Sequence, residues 1–284
     1  MTTDISAPPL INRSFSRTDA NQMDQFPEVS ISGDKVDPRL CIERGTSGVV
    51  FGAFFIAIIG TLLGIVVSYG ILLIILILYP LFSWYFHKKA TALLHGSGVR
   101  VDETQFPQIH RCVETFKERL GLTGEIGVYI VEANILNAAA VRYGKKNVIL
   151  LTDDLIHGCL ASGNPQALAF VVGHELAHIA LNHNGVFRSW MAKHMKKLGR
   201  LDELSSDTVA LKLVNNADIA FHGLLMLTVG YALLPFVNRQ SIVRQAREVA
   251  LNKYSKKAER NLTHPLLLNR LHRILSAESS PYRQ

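Results

Sequence analysis

The stretch Val171-Val172-Gly173-His174-Glu175-Leu176-Ala177-His178-Ile179-Ala180-Leu181 decides how the rest of the chain is read. It holds two histidines four residues apart, with a glutamate directly after the first. On a helix, positions i and i+4 lie one above the other, so His174 and His178 offer both imidazoles to one metal ion. Glu175 projects about 100° away, where it reaches a water on that ion without ligating it. Two imidazole ligands and a carboxylate base form the donor pattern of a hydrolytic zinc centre. The residues between and around them are uncharged and mostly apolar, which predicts a helix buried on several sides.

A catalytic zinc takes three protein ligands and keeps a fourth position open. A third histidine in continuation of the motif would need Gly at 181 and His at 184, but the chain has Leu181 and Asn184. His183 falls one residue short of that register and reads as a surface or supporting histidine. The alternative is a carboxylate from a later helix. In Arg200-Leu201-Asp202-Glu203-Leu204-Ser205-Ser206-Asp207, Glu203 and Asp207 stand at i and i+4 on one face. Glu203 then closes the metal shell, and Asp207 takes the free N–H of a ligating imidazole, that of His174. Asp202 reads as a solvated helix charge.

Working outward, 48% of the 284 residues are hydrophobic and mean hydropathy is +0.19, a bias that points to a membrane segment. Residues 45–86 contain no Asp, Glu, Lys, Arg or His. One straight helix of that length would measure about 60 Å, twice the hydrocarbon core. Two spans, 49–67 and 70–86, turning near Ser68-Tyr69-Gly70, fit better. Gly52, Gly60 and Gly64 are spaced for close helix–helix approach. Trp84 and Tyr85 suit an interface, and basic residues flank both ends: Arg39 and Arg44 before, Lys88 and Lys89 after. A hairpin so flanked puts both its ends in the cytoplasm. Residues 1–47 read as a mobile tail, 48–87 as the hairpin and 88–284 as the catalytic domain. The first apolar run begins too late for a cleaved signal peptide.

Within the domain, apolar spacing predicts a helix over 106–120, stopped by Gly121. Strands are expected at 126–131, 138–143 and 147–151, the last two around Gly144-Lys145-Lys146. Asn164-Pro165 should open the helix that carries His174, with Asn as cap and Pro in the first position. The apolar stretch 219–237 reads as a buried helix in preference to a third span, because His222 and Gly223 interrupt it. The formal net charge of +7 is dispersed over pairs such as Lys145/Lys146, Lys196/Lys197 and Lys256/Lys257. No aromatic interleaving accompanies it, so anionic lipid is favoured over nucleic acid as its partner. Three cysteines (Cys41, Cys112 and Cys159) without a C-x-x-C suggest neither disulfides nor a cysteine metal site, and fit a reducing compartment.

His174 to His178 followed by Glu203-x-x-x-Asp207 resembles the HtpX-like membrane metallopeptidases, gluzincins related to the CAAX prenyl endoproteases. Asn137-Ala138-Ala139-Ala140 resembles that family's N-A-[FY]-A strand, with Ala139 where an aromatic is expected. Thr263-His264-Pro265 followed by Arg270 resembles its T-H-P…R element. The resemblance covers about residues 106–275. It implies a mostly helical α+β zincin-type domain with a small sheet behind a two-helix transmembrane hairpin. It also implies one Zn²⁺ per chain held by His174, His178 and Glu203, with Glu175 as the base and Asp207 behind the ligands. Asn137, Ala138 and Ala139 would line the substrate cleft, and His264 and Arg270 would contact substrate or stabilise the oxyanion. The implied partners are polypeptide substrates, misfolded or membrane proteins, and the lipid bilayer of the inner (plasma) membrane, with the domain facing the cytoplasm. Two other readings stay open: a dedicated prenyl-protein (CAAX-type) protease, and a non-catalytic membrane-tethered zinc-binding holdase or scaffold. Oligomeric state is left open.

Overall fold

The computed structural model describes residues 33–278. Thr46–Val67 (α1) and Ile71–Ser97 (α2) are both long and apolar enough to cross a bilayer. The turn between them is built as the sequence suggests: Tyr69 and Gly70 both have positive φ, and Ser68 Oγ accepts from Leu72 N at 3.1 Å. Phe51, Ile56, Leu62, Ile77 and Phe82 point outward, which excludes the core hairpin of a soluble protein and suits membrane anchoring. Of the three glycines, Gly64 alone sits at a close approach, since a Cβ there would lie 2.7 Å from Leu72. Gly52 and Gly60 face open space. α2 runs past the expected end of its span, because nothing at His87–Lys89 breaks a helix. Its last turns carry buried Leu94 onto Tyr129 and Val148.

Residues 1–32 of the expected tail lie outside the described residues. Residues 36–46 pack onto the domain. Val36 N donates to Arg119 O at 2.9 Å, Cys41 is buried, and Glu43 bonds Ser205 and Arg273.

The domain proper starts with Val99–Arg100 (β1) and Pro107–Arg119 (α3), and continues with Ile126–Val131 (β2), Ala138–Tyr143 (β3) and Lys146–Thr152 (β4). The sheet order is β1-β2-β4-β3, with β2 parallel to β4 and the other pairs antiparallel. β3 therefore has one edge unpaired among the described residues. Asp153–Ala161 (α4) follows, capped by the Thr152 side chain. Ala167–Ala180 (α5), the motif helix, crosses beneath the sheet. Phe116, Ile149, Leu151, Leu155 and Leu176 are fully buried between them, each stabilising the fold by about 1.5–3 kcal/mol. α5 starts two residues later than expected. Asn164 and Pro165 form a turn with three-residue spacing, and Gln166 takes the cap position with no side-chain bond.

Val186–His194 (α6) and Lys196–Val214 (α7) come next. α7 packs closely on α5 because Gly173 and Ala177 leave room: a Cβ on Gly173 would already touch Ala210 and Leu213. Ala217–Val229 (α8) is the buried apolar helix expected at 219–237, but it stops at Gly230, whose φ is +73°. At about 20 Å it is too short to span a bilayer. Arg239–Leu251 (α9), Lys253–Glu259 (α10) and Leu267–Glu278 (α11) close the chain. Leu271 and Ile274 of α11 pack against Phe170, Phe221 and Leu224. The result is a mostly helical α+β domain behind two apolar helices, as the sequence implies.

Candidate metal centre

α5 holds His174, Glu175 and His178 by its own periodicity, and α7, lying across it, brings Glu203 and Asp207 to the same place. His174 Nε2 and His178 Nε2 are 3.1 Å apart. Each faces the Glu203 carboxylate, at 3.6 Å to Oε2 and 3.5 Å to Oε1 respectively. One ligand atom from each of the three residues lies within 4.8 Å of the other two. Two imidazole nitrogens and a buried carboxylate converging on one point form a donor set that fits zinc.

The electrostatics agree. Burial alone would depress His174, yet the Asp207 and Glu203 carboxylates overcome it and raise the imidazole to about 10. Burial would likewise raise Glu203, but His174, His178 and His264 hold it well below the usual carboxylate range. The cluster stabilises positive charge at its centre. Either protons or a divalent ion can supply it.

Asp207 lies behind His174, with Oδ1 3.0 Å from Nδ1. Arg270 from α11 clamps Asp207 with two bonds of 2.7 Å and reaches Glu203 Oε2 at 3.3 Å. Burial opposes charge on both, but Arg270 keeps Asp207 below its ordinary value and Asp207 holds Arg270 above its own. Arg270 therefore faces the carboxylates of the centre.

His178 is backed differently. Its Nδ1 lies 3.2 Å from His183 Nδ1, and His183 Nε2 lies 3.4 Å from Asp202 Oδ1. Asp202 is paired in turn with Arg188 of α6 through both carboxylate oxygens. Asp202 is thus a correction to the sequence reading: it is buried at 3% exposure, and no solvated charge. Its partner comes from a different helix, which helical spacing within α7 does not reveal. His183 is buried as well, a supporting residue and no surface one.

An open cleft of about 720 Å³ runs past the centre. Asn137 and Ala138–Ala140 form one wall, and His174, Glu175 and His178 the floor. The Glu175 carboxylate makes no hydrogen bond or ion pair among the described residues, though its charge is felt by Arg270. Asn137 is fixed through its backbone, its N–H and C=O both bonded to Thr152. His264 also lines the cleft, its side chain 68% exposed and its Nδ1 3.2 Å from Glu203 Oε1. That contact with Glu203 raises the His264 imidazole above its ordinary value. Its loop is held by residues the sequence did not single out. Lys196 Nζ donates to Asn261 O, Arg200 donates to Arg260 O and Leu262 O, and Gly199 leaves space where a Cβ would meet Thr263 O at 2.8 Å.

Cys112 and Cys159 stand apart from this chemistry. Burial pushes both thiols up to about 12, which keeps them inert.

Two histidines and a glutamate on one helix, facing a glutamate from a distant one, make an arrangement that suits a metallopeptidase. Comparison with known protein families agrees: residues 103–196 match Peptidase family M48, which includes the HtpX and Ste24 proteins. Residues 103–196 therefore carry an M48 metallopeptidase domain, and the His-His-Glu cluster fits a zinc site for such a domain. The matched segment includes the motif helix but ends before Glu203, Asp207, His264 and Arg270. No solved structure matches the chain.

Proposed function

We propose that this chain is a membrane-anchored endopeptidase that cleaves extended polypeptide segments, with His174, His178 and Glu203 as the ligands of one zinc ion. The observation that carries the reading is the convergence of two imidazoles and a buried carboxylate beside Glu175, whose carboxylate is neither hydrogen-bonded nor ion-paired among the described residues, in an open cleft. Zinc bound there supplies a Lewis acid that polarises the scissile carbonyl and acidifies a water. Glu175 receives the water proton on its carboxylate and delivers it to the leaving amine nitrogen. His264, exposed in the cleft, donates to the developing oxyanion. Arg270 is bonded to Asp207 and Glu203, so it positions ligands and supports the same negative charge from behind. The unpaired edge of β3 accepts the substrate as an added strand, so backbone hydrogen bonds supply affinity and selectivity is loose. Ala139, where the family resemblance leads one to expect an aromatic, widens the cleft wall and suits unfolded segments of varied sequence.

A catalytic role is favoured over a holdase or scaffold because a structural zinc site takes four protein ligands and needs no free base. The basic flanks of the hairpin favour the cytoplasmic face of the inner membrane. Glu175→Gln tests the reading. The purified variant should retain zinc while casein cleavage falls on the order of a hundredfold or more. Cleavage at the native rate by zinc-loaded Glu175→Gln would refute it.

A further inference from the structure

A second crevice, of about 900 Å³, lies between α2 and the β3–β4 turn, away from the catalytic cleft. Both walls are fixed to the same sheet. Leu94 and Tyr129 pack together, His95 stacks on Tyr129 at 5.5 Å, and the turn is the tip of the β3–β4 ladder. The spacing between the walls is therefore set by the fold.

The two ends of the crevice differ chemically. At one end Tyr79, Pro80 and Ser83 belong to the apolar, outward-facing part of α2. Further along α2 the lining turns polar with His87, Lys88, Thr91 and His95, and Lys145 and Lys146 face it from the turn. Tyr79 to Lys88 rises about 13 Å along the helix, the distance from acyl chains to headgroups. Trp84 marks the level between them, and Lys88 lies over its ring at 5.0 Å. No Asp or Glu lines the crevice, and Lys145 and Lys146 have no carboxylate partner among the described residues. Three lysines with no carboxylate partner among the described residues, beside the apolar outward face of α2, fit one class of ligand.

We propose that this crevice binds an anionic phospholipid, its headgroup held by Lys88, Lys145 and Lys146 and one acyl chain lying along Tyr79 and Pro80. The lipid thereby braces the cleft strand. β3 runs from the turn directly to Ala138, and the hairpin is tied to the loop after His178 by Arg142 Nη1 to Asn182 Oδ1 at 3.0 Å and Asn184 Nδ2 to Asn147 Oδ1 at 3.1 Å. The proposal rests on the membrane-anchored reading above but not on catalysis.

Native mass spectrometry of the full chain, released from nanodiscs of equal phosphatidylglycerol and phosphatidylcholine, tests it without any turnover. Phosphatidylglycerol should be retained in at least fivefold excess. The double substitution Lys145→Glu/Lys146→Glu, at exposed positions, should bring the ratio to within twofold of one. Lys256→Glu/Lys257→Glu, an equal charge change on exposed α10 positions, should keep the preference, as should Glu175→Gln. Equal retention by the unaltered chain, a preference that survives at Lys145/Lys146, or displacement of the lipid by millimolar inorganic phosphate would each overturn the proposal. None of those results would touch the peptidase reading.

Discussion

The two imidazoles of the candidate metal centre are supported in unlike ways. His174 Nδ1 meets the Asp207 carboxylate directly at 3.0 Å, and Arg270 fixes that carboxylate from behind. His178 Nδ1 meets a neutral group. Burial, together with His178 and Arg188, pushes His183 down to about 2, so the ring stays uncharged at any working pH. With His178 coordinating through Nε2, its Nδ1–H donates to His183 Nδ1, and His183 Nε2–H points to Asp202 at 3.4 Å. One imidazole has an anion at its back, and the other is separated from its anion by a second ring. A carboxylate partner raises the basicity of the ligand it touches, and the effect weakens with each intervening group. His174 should therefore be the stronger ligand, and the α7–α11 side of the centre should matter more than the α6 side.

Glu203→Ala gives the largest expected effect, since Glu203 faces both imidazoles and belongs to neither support. Two histidines alone make an incomplete shell, so zinc measured by atomic absorption should fall to background and peptide cleavage should vanish with it. Full zinc occupancy in that variant would remove Glu203 from the ligand set. Next comes Asp207→Ala, expected to weaken zinc affinity or activity about 10–100-fold. Arg270→Ala should follow Asp207→Ala in direction, because Asp207 then keeps its charge but loses its two bonds. A double variant no worse than Asp207→Ala alone would show that the two act as one unit.

The contrast between the two supports also marks what the sequence can and cannot disclose. His174, Glu175, His178, Glu203 and Asp207 are legible because helical periodicity relates them in two short stretches, and the strands at 126–131 and 138–143 because their apolar runs are bounded by turns. The two apolar helices are legible from the absence of charge. The His183–Asp202–Arg188 chain is not, since it joins a loop, α7 and α6 through pairings of residues that carry no motif. The Arg200 and Gly199 contacts that hold the His264 loop are hidden for the same reason, and so is the late start of α5, where tertiary packing overrides the Asn-Pro cap signal. Periodicity reports what one element does alone. Pairings between elements appear only once the elements are placed.

Asp202→Ala sharpens the comparison from the weaker side. Read from spacing alone it would be silent, but Asp202 is buried and is the partner of Arg188, whose side chain is only 17% exposed. Removing the carboxylate leaves a guanidinium without its anion, at a cost of about 1–3 kcal/mol in a denaturant melt. Zinc affinity should change less than in Asp207→Ala, because His183 still occupies the space behind His178.

The smallest effect is expected for His183→Gln. Glutamine keeps a hydrogen-bond acceptor near His178 Nδ1 and a donor toward Asp202, so the tautomer of His178 is preserved even though the ring is gone. The Asp202–Arg188 pair does not depend on His183 and stays intact. Zinc affinity, titrated against a competing chelator, should fall by no more than about threefold, against about 10–100-fold for Asp207→Ala. The ratio between the two is the quantity of interest. Equal losses would mean that a neutral relay supports a zinc ligand as well as a direct carboxylate does, and the ranking of His174 over His178 would have to be abandoned. A larger loss in His183→Gln would mean that the ring itself, by packing behind His178, sets the ligand's orientation.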